Sequence, residues 1–408
     1  YDEDPILARV LRLETQELAL DFRSHPHRLQ SVASGSDPWT PVVERATVSD
    51  ASNVSLLAVV ALPCLRVLHI DSDQELEQLW CWQAQLPSLE WLSCNFTRGG
   101  GARSEVVRQI ATLFPLRSVT LGAMNIAADL PHTLEEILLT QLPVSPPAMF
   151  SRFTQLKTLD VDCWHCSLVA AGSLLRVITE TNPQLEVLRL RSSLANTILE
   201  DAGPLVALRE LKVVSHDDPS ALPALLQTSR SLVRLDVTSW ASSGTKASLL
   251  QAIRELSFLE HVGLTLSGGP DDDLVDCVAG ISAVRSLSVH GGLRIITGDL
   301  LRRLTSLELL ECGAEEDWNL LRNAPHLRRL TVVPFVAPVV DDWLEWFQAI
   351  CWLPPLVQVD LTFAKTKDFV HYASSLSEQD RRICEGCWRV VELPDILQLH
   401  RKRRNFQA

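Results

Sequence analysis

The sequence predicts an α/β solenoid: a parallel sheet of short strands lining a concave side, with a mostly helical convex side. Three observations carry this. The six-residue phrase L-x-x-L-x-L, with conservative replacements, recurs thirteen times. Its step averages about 24 residues, the length of one stacked supersecondary unit. Between copies lie segments such as SEVVRQIATL, AAGSLLRVITET and SLLQAIRELSF, whose apolar residues fall three or four apart, the helical period. The chain has 408 residues, 46% of them hydrophobic, which is too long for one compact core. Repetition removes that difficulty, because each repeat buries its inner face only against its neighbours.

In chain order, residues 1–42 form an N-terminal cap. Ile6, Val10 and Leu11 are spaced for one helical face, Leu18 and Leu20 are more strand-like, and HPHRLQSVASGSDPW is loop. The YDEDP start resembles neither a signal peptide nor an initiator Met, so the chain is expected to continue upstream. The repeats occupy residues 43–365, thirteen or fourteen in number. VERATV from Val43 is a degenerate first copy, followed by LRVLHI from Leu65, LEWLSC from Leu89, LRSVTL from Leu116 and LEEILL from Leu134. Next come LKTLDV from Leu156, LEVLRL from Leu185, LRELKV from Leu208, LVRLDV from Leu232 and LEHVGL from Leu259. VRSLSV from Val284, LELLEC from Leu307, LRRLTV from Leu327 and LVQVDL from Leu356 complete the series. Many copies follow a proline or polar turn (LPCL, NPQL, APHL), as expected where one element ends and the next begins. Positions four and six are two apart, so both point to one face of a strand, here the interior. Residues 366–408 form a C-terminal cap and basic tail; the aromatic run DDWLEWFQAICW at 341–352 and Trp388 suit either capping or an interface.

On these phrases the chain resembles the leucine-rich-repeat superfamily. It departs from the most regular members, which place an Asn or Cys a few residues past the strand to hydrogen-bond the turn. Here the position three beyond the phrase is seldom Asn: LDV is followed by Asp162 and Cys163, and LRL by Arg191 and Ser192. The irregular step is similar to that of intracellular receptors, among them the repeat domains of F-box ubiquitin-ligase subunits. The stretch DPILARVLRLETQELALDF does not read as an F-box.

Charge narrows the partners. The net charge is −13. Residues 381–408 carry +4, which leaves the first 380 at −17. An acidic body disfavours nucleic acid except through the tail HRKRRNFQA. No apolar run is long enough to span a membrane. Ten cysteines make no dense disulfide framework, and Cys94 and Cys312 fall at apolar pattern positions; a reducing intracellular location, cytoplasmic or nuclear, is expected. The two sequons, at Asn53 and Asn95, are short enough to occur by chance.

Chemistry is sparsely encoded. Phosphate-loop, dinucleotide, zinc-protease and nucleophile-elbow motifs are absent from the sequence. Cys163-Trp-His-Cys166 and Cys384-Glu-Gly-Cys387 lie about nine repeats apart, too far to share a zinc ion. Asp271, Asp272 and Asp273 lack the alternating oxygen pattern of a calcium loop. No catalytic residue, metal or cofactor is expected, and the chain reads as a non-enzymatic protein.

Function is then expected on the concave face, at positions three, five and seven of the phrase. One row of these runs Leu138, Asp160, Arg189, Lys212, Asp236; Asp162 and Arg191 stand together in the next, and Arg234 lies on the strand of Asp236. Two readings stay open. Opposite charges can satisfy each other laterally, Asp160 with Arg189 and Lys212 with Asp236. Alternatively, Asp160, Asp162, Arg189, Arg191, Lys212, Arg234 and Asp236 form a partner-binding patch whose arginines suit an acidic or phosphorylated protein segment. The expected function is a protein–protein interaction scaffold, with substrate recognition for a ubiquitin-ligase adaptor as its most specific form. A structural subunit of a larger assembly and a regulator such as a GTPase activator are the alternatives.

Overall fold

Strand after strand, the repeat phrase sits at the beginning of a parallel ladder. The structure is a computed structural model. It describes residues 130–140, 147–163, 174–239, 242–266 and 277–289 (less 282), and beyond them mainly strands with their flanking turns. The chain divides into two units, Tyr1–Leu205 and Val206–Ala408. Both have the α/β leucine-rich-repeat fold.

The first unit contains β1 (Glu17–Asp21), β2 (Arg45–Ser49), β3 (Val67–Asp71) and β4 (Trp91–Phe96). It continues with β5 (Leu116–Leu121), β6 (Glu136–Leu139), β7 (Thr158–Cys163) and β8 (Val187–Ser192). Each strand pairs parallel with the next in chain order. The degenerate phrase at Val43 thus contributes a strand, and β1, inside the segment expected as a cap, is parallel to β2. The register slips once, between Leu92 and Ser93 against β5.

The second unit contains β9 (Glu210–Val214), β10 (Arg234–Ser239), β11 (His261–Leu266) and β12 (Ser286–Val289). Then follow β13 (Leu309–Cys312), β14 (Arg329–Val332) and β15 (Gln358–Ala364). These are parallel in chain order. The direction then reverses: β17 (Ile396–Arg401) runs antiparallel to β15, and β16 (Trp388–Glu392) runs antiparallel to β17. His400 and Arg401 of the basic tail therefore belong to a strand, while residues 402–408 lie outside the described residues, as do Cys166, Cys384 and Cys387.

The core is the expected one. Position one is buried in Leu65, Leu116, Leu134, Leu156, Leu185, Leu208, Leu232 and Leu259, and position four in Leu68, Leu92, Ile137, Leu159, Leu188, Leu211 and Leu235. Position six is buried in Leu121, Leu139, Val161, Leu190, Val213, Val237 and Leu264. Each such side chain removed from water contributes about 2 kcal/mol, offset by the ordering of the chain. The alternation along β8, half-buried then buried through six residues, is the strand period made visible.

Helices close the other side. α1 (Leu174–Thr181) and α2 (Ala195–Glu200) belong to the first unit. α3 (Leu222–Thr228), α4 (Ser243–Arg254) and α5 (Gly298–Arg303) belong to the second. α1 lies within AAGSLLRVITET and buries Leu174, Leu175 and Ile178, the i, i+1, i+4 stripe that predicted it. α4 starts where the extended Ser242 hydroxyl accepts the Thr245 N–H at 3.4 Å, one of the donors a helix start leaves unpaired. Pro223 opens α3, where its missing N–H costs nothing. Beneath α1 a 3-10 turn, Pro147–Arg152, buries Phe150 against Phe153, edge to face at 5.9 Å.

Candidate functional site

A leucine-rich strand of this kind offers positions three, five and seven to solvent, and β7 and β8 fill the last two with charge. Asp160 is opposite Arg189 in the register, and Asp162 opposite Arg191. Arg191 Nη2 lies 3.5 Å from Asp160 Oδ1 and 3.3 Å from Asp162 Oδ2, while Arg189 Nη1 lies 4.0 Å from Asp160 Oδ2. The Asp160 side chain is only 8% exposed, against 39% for each arginine. Burial raises the Asp160 carboxyl above its ordinary value, outweighing Arg191 and Arg189, which pull it down. Asp160 is thus a floor on which two guanidiniums rest. Both contacts of Arg191 use Nη2, so neither engages its Nε or Nη1.

Lys212, Arg234 and Asp236 form a separate group in the second unit. Lys212 is opposite Asp236, and Asp236 opposite Gly263. The lateral pair expected between Lys212 and Asp236 does not form. Arg234, two residues earlier on the same strand, holds Asp236 through Nε at 3.1 Å. The reason lies on β11: Gly263 has no side chain, and the Asp236 carboxylate leans over it, into space a Cβ would occupy. Lateral neutralisation is therefore correct for Asp160 and Arg189, at long range, and wrong for Lys212.

Position two of the phrase, which the sequence reading passed over, carries an alternating row on the leading edge of the strands. In the first unit it reads Arg66, Glu90, Arg117, Glu135, Lys157, Glu186. Arg66 Nη2 meets Glu90 at 2.6 Å, and Glu135 takes both Arg117 at 3.5 Å and Lys157 at 2.6 Å. The hydrogen bond from Lys157 to Glu135 raises the lysine above its ordinary value. Backbone bonds bind the same rungs, from Glu90 N to Arg66 O, from Lys157 N to Glu135 O and from Glu186 N to Lys157 O. The second unit continues with Arg209, Val233, Glu260, Arg285, Glu308 and Arg328. The alternation was present in the sequence, one residue past each phrase leucine.

Two other sets of polar residues escaped notice. Three consecutive repeats carry a buried serine at position eight, one residue before the Asn or Cys position of regular repeats. Ser192 Oγ accepts Leu194 N, Ser215 Oγ accepts Asp217 N, and Ser239 Oγ donates to Asp217 O. Asn182, fully buried after α1, joins two repeats: Oδ1 accepts Leu156 N at 2.8 Å, and Nδ2 donates to Phe153 O at 2.6 Å and Ile178 O at 3.0 Å. Cys277 is buried with its Sγ donating to Leu250 O at 3.2 Å, and burial, outweighing the pull of Arg254, pushes its thiol up to about 11 and keeps it protonated. Among the described residues no group of three or more His, Cys, Asp or Glu could hold a metal ion, and no helix is long and apolar enough to cross a membrane.

No family model and no curated protein matches the chain. Solved structures similar to it include an internalin, InlF, from Listeria monocytogenes, at 15% identity and TM-score 0.41 over 72% of this chain and 86% of that one. The yeast Rad7–Elc1 complex matches at 14% identity and TM-score 0.44, over 82% and 88%. The leucine-rich-repeat protein LegL7 from Legionella pneumophila matches at 11% identity and TM-score 0.36, over 76% and 97%. The fold assignment rests on the chain's own phrase, register and core.

Proposed function

We propose that this chain is a non-enzymatic protein-interaction scaffold, which receives an acidic or phosphorylated segment of a partner on the outward strand positions. In the first unit Asp160, Asp162, Arg189 and Arg191 form such a contact, and in the second unit Lys212, Arg234 and Asp236 form one of their own. The observation that carries this reading is the half-exposed arginine pair held by the buried carboxylate of Asp160. A guanidinium fixed in this way loses little further freedom when it grips a carboxylate or phosphate, so more of the contact energy appears as affinity. The overall charge of −13 opposes an acidic ligand at long range only. At physiological salt the screening length is about 8 Å, so the local charge decides.

Within this reading, the chain recognises substrates for a ubiquitin-ligase adaptor. The support is the irregular repeat step shared with such receptors. The test is whether the full-length product copurifies in fixed ratio with a ligase core.

Titration of the full chain with a glutamate-rich peptide and its phosphoserine counterpart tests the main proposal. Replacement of both arginines, R189E/R191E, is expected to weaken binding at least tenfold with the unfolding midpoint unchanged. A well-folded variant that binds both peptides as tightly as the wild type would sink it.

A further inference from the structure

The alternating row at position two is interrupted at one rung of the second unit. Backbone hydrogen bonds fix the order of rungs: Val233 N to Arg209 O at 2.8 Å, Glu260 N to Val233 O at 2.9 Å, and Arg285 N to Glu260 O at 2.8 Å. Val233 therefore separates Arg209 from Glu260 by two rungs, about 9–10 Å. Within the unit, the rung beside Arg209 is Val233, which carries no charge.

The same three rungs hold the exposed large apolar side chains found among the described residues. Val206 is 58% exposed on the turn before the Arg209 rung, and Phe258 is 64% exposed on the turn before the Glu260 rung. Between them, Arg230 lies against Glu255 at 2.7 Å, its charge met within the chain. A single exposed apolar residue needs no explanation. Two on one edge, bracketing a break in an otherwise charged row, form a pattern.

The pattern is its own complement. Rotation by 180° about an axis through Val233 exchanges the Arg209 rung with the Glu260 rung. A second copy placed by that rotation sets its Glu260 opposite Arg209 and its Arg209 opposite Glu260. It also brings the turn that carries Val206 opposite the turn that carries Phe258 and the reverse, and Val233 meets Val233. The two Arg230 side chains face each other already neutralised by Glu255. A two-fold interface requires this self-complementarity: each residue and its opposite number must attract when their roles are exchanged. From this charge and apolar order we infer that the leading edge of the second unit, centred on Val233, is a self-association surface that pairs two copies of this chain.

So small a patch makes a weak, reversible dimer, in the class of transient contacts rather than obligate ones. Sedimentation velocity of the full chain, over concentrations rising to several hundred micromolar, reads it. Wild type is expected to move from monomer toward dimer as concentration rises. Phe258→Asp, at an exposed site where folding is little affected, is expected to weaken association at least tenfold. Arg209→Glu alone is expected to weaken it severalfold, and the exchanged pair R209E/E260R to restore it, because the swap recreates the same complementarity. A chain that stays monomeric at the highest concentration would overturn the inference and leave the patch to a different protein. Association that Phe258→Asp leaves unchanged, or that the exchanged pair fails to restore, would overturn it equally.

Discussion

Replacing Asn182 by Ala is the sharpest perturbation of the stacking itself. The side chain is fully buried and ties α1 to the turn of the preceding repeat. Its removal strands two buried groups, the Leu156 N–H and the Phe153 C=O. The Ile178 carbonyl keeps a partner, because the Asn182 backbone N–H also donates to it at 2.9 Å. An unpaired buried group costs roughly 1–3 kcal/mol, so the two together cost about 2–6 kcal/mol. Urea unfolding reads the total, but a repeat protein need not unfold in one step. Hydrogen exchange at the Leu156 amide reads the site itself. There a loss of about 2 kcal/mol lowers protection roughly thirtyfold, at about 1.4 kcal/mol per decade. Asn182→Asp adds a signature: at neutral pH a carboxylate faces the carbonyls of Phe153 and Ile178, and protonation restores a donor. The stability of that variant should rise as pH falls. Full protection of Leu156 in Asn182→Ala, with stability within about 0.5 kcal/mol of wild type, would refute the reasoning, since surface changes commonly stay in that range.

Three further outcomes follow from the electrostatics. Asp160 has its folded carboxyl value raised by burial, so its ionised form costs stability. Asp160→Asn should therefore be at least as stable as wild type at pH 7, and wild type should close the gap as pH falls through the raised value toward the ordinary one. A gap that widens on acidification, measured by denaturant titration, contradicts this. Glu135→Lys turns the two attractions to Arg117 and Lys157 into repulsions; a loss of ~1 kcal/mol that shrinks with added salt is expected, and a salt-independent loss is not. Cys277, with its thiol held near 11, should resist alkylation at pH 8 in the native protein and react on unfolding; mass spectrometry of the native digest checks it.

The strand positions and their inner face were legible because burial follows a period of two that any stretch of sequence displays. Leu156, Leu159 and Val161 are buried for the reason they were singled out. The helices at α1 and α4 were legible by the same logic at a period near four. The charged cluster of β7 and β8 was legible too, because parallel strands in register bring equal phrase positions together. What escaped depends on partners outside the repeat. Asn182 looks like an ordinary polar residue before a proline until the carbonyl of Phe153, 29 residues earlier, is brought above it. Asp236 was assigned to Lys212 because register alone sets them opposite, whereas the missing side chain of Gly263 draws it the other way. The division at Leu205 and Val206 falls between two ordinary repeats and has no mark in the phrase. The reversal at β15–β17 comes after the phrase has ended, where no repeat remains to read.

The central claim is that the outward strand positions around Arg189 and Arg191 receive the partner. Crosslinking and footprinting of the full chain in its purified complex test it most directly. Protection of Arg189, Arg191 and Asp162 on β7 and β8 is expected, with the solvent faces of α1 and α2 unchanged on binding. Protection of those helices, with the arginine pair as accessible as in the free protein, would contradict it.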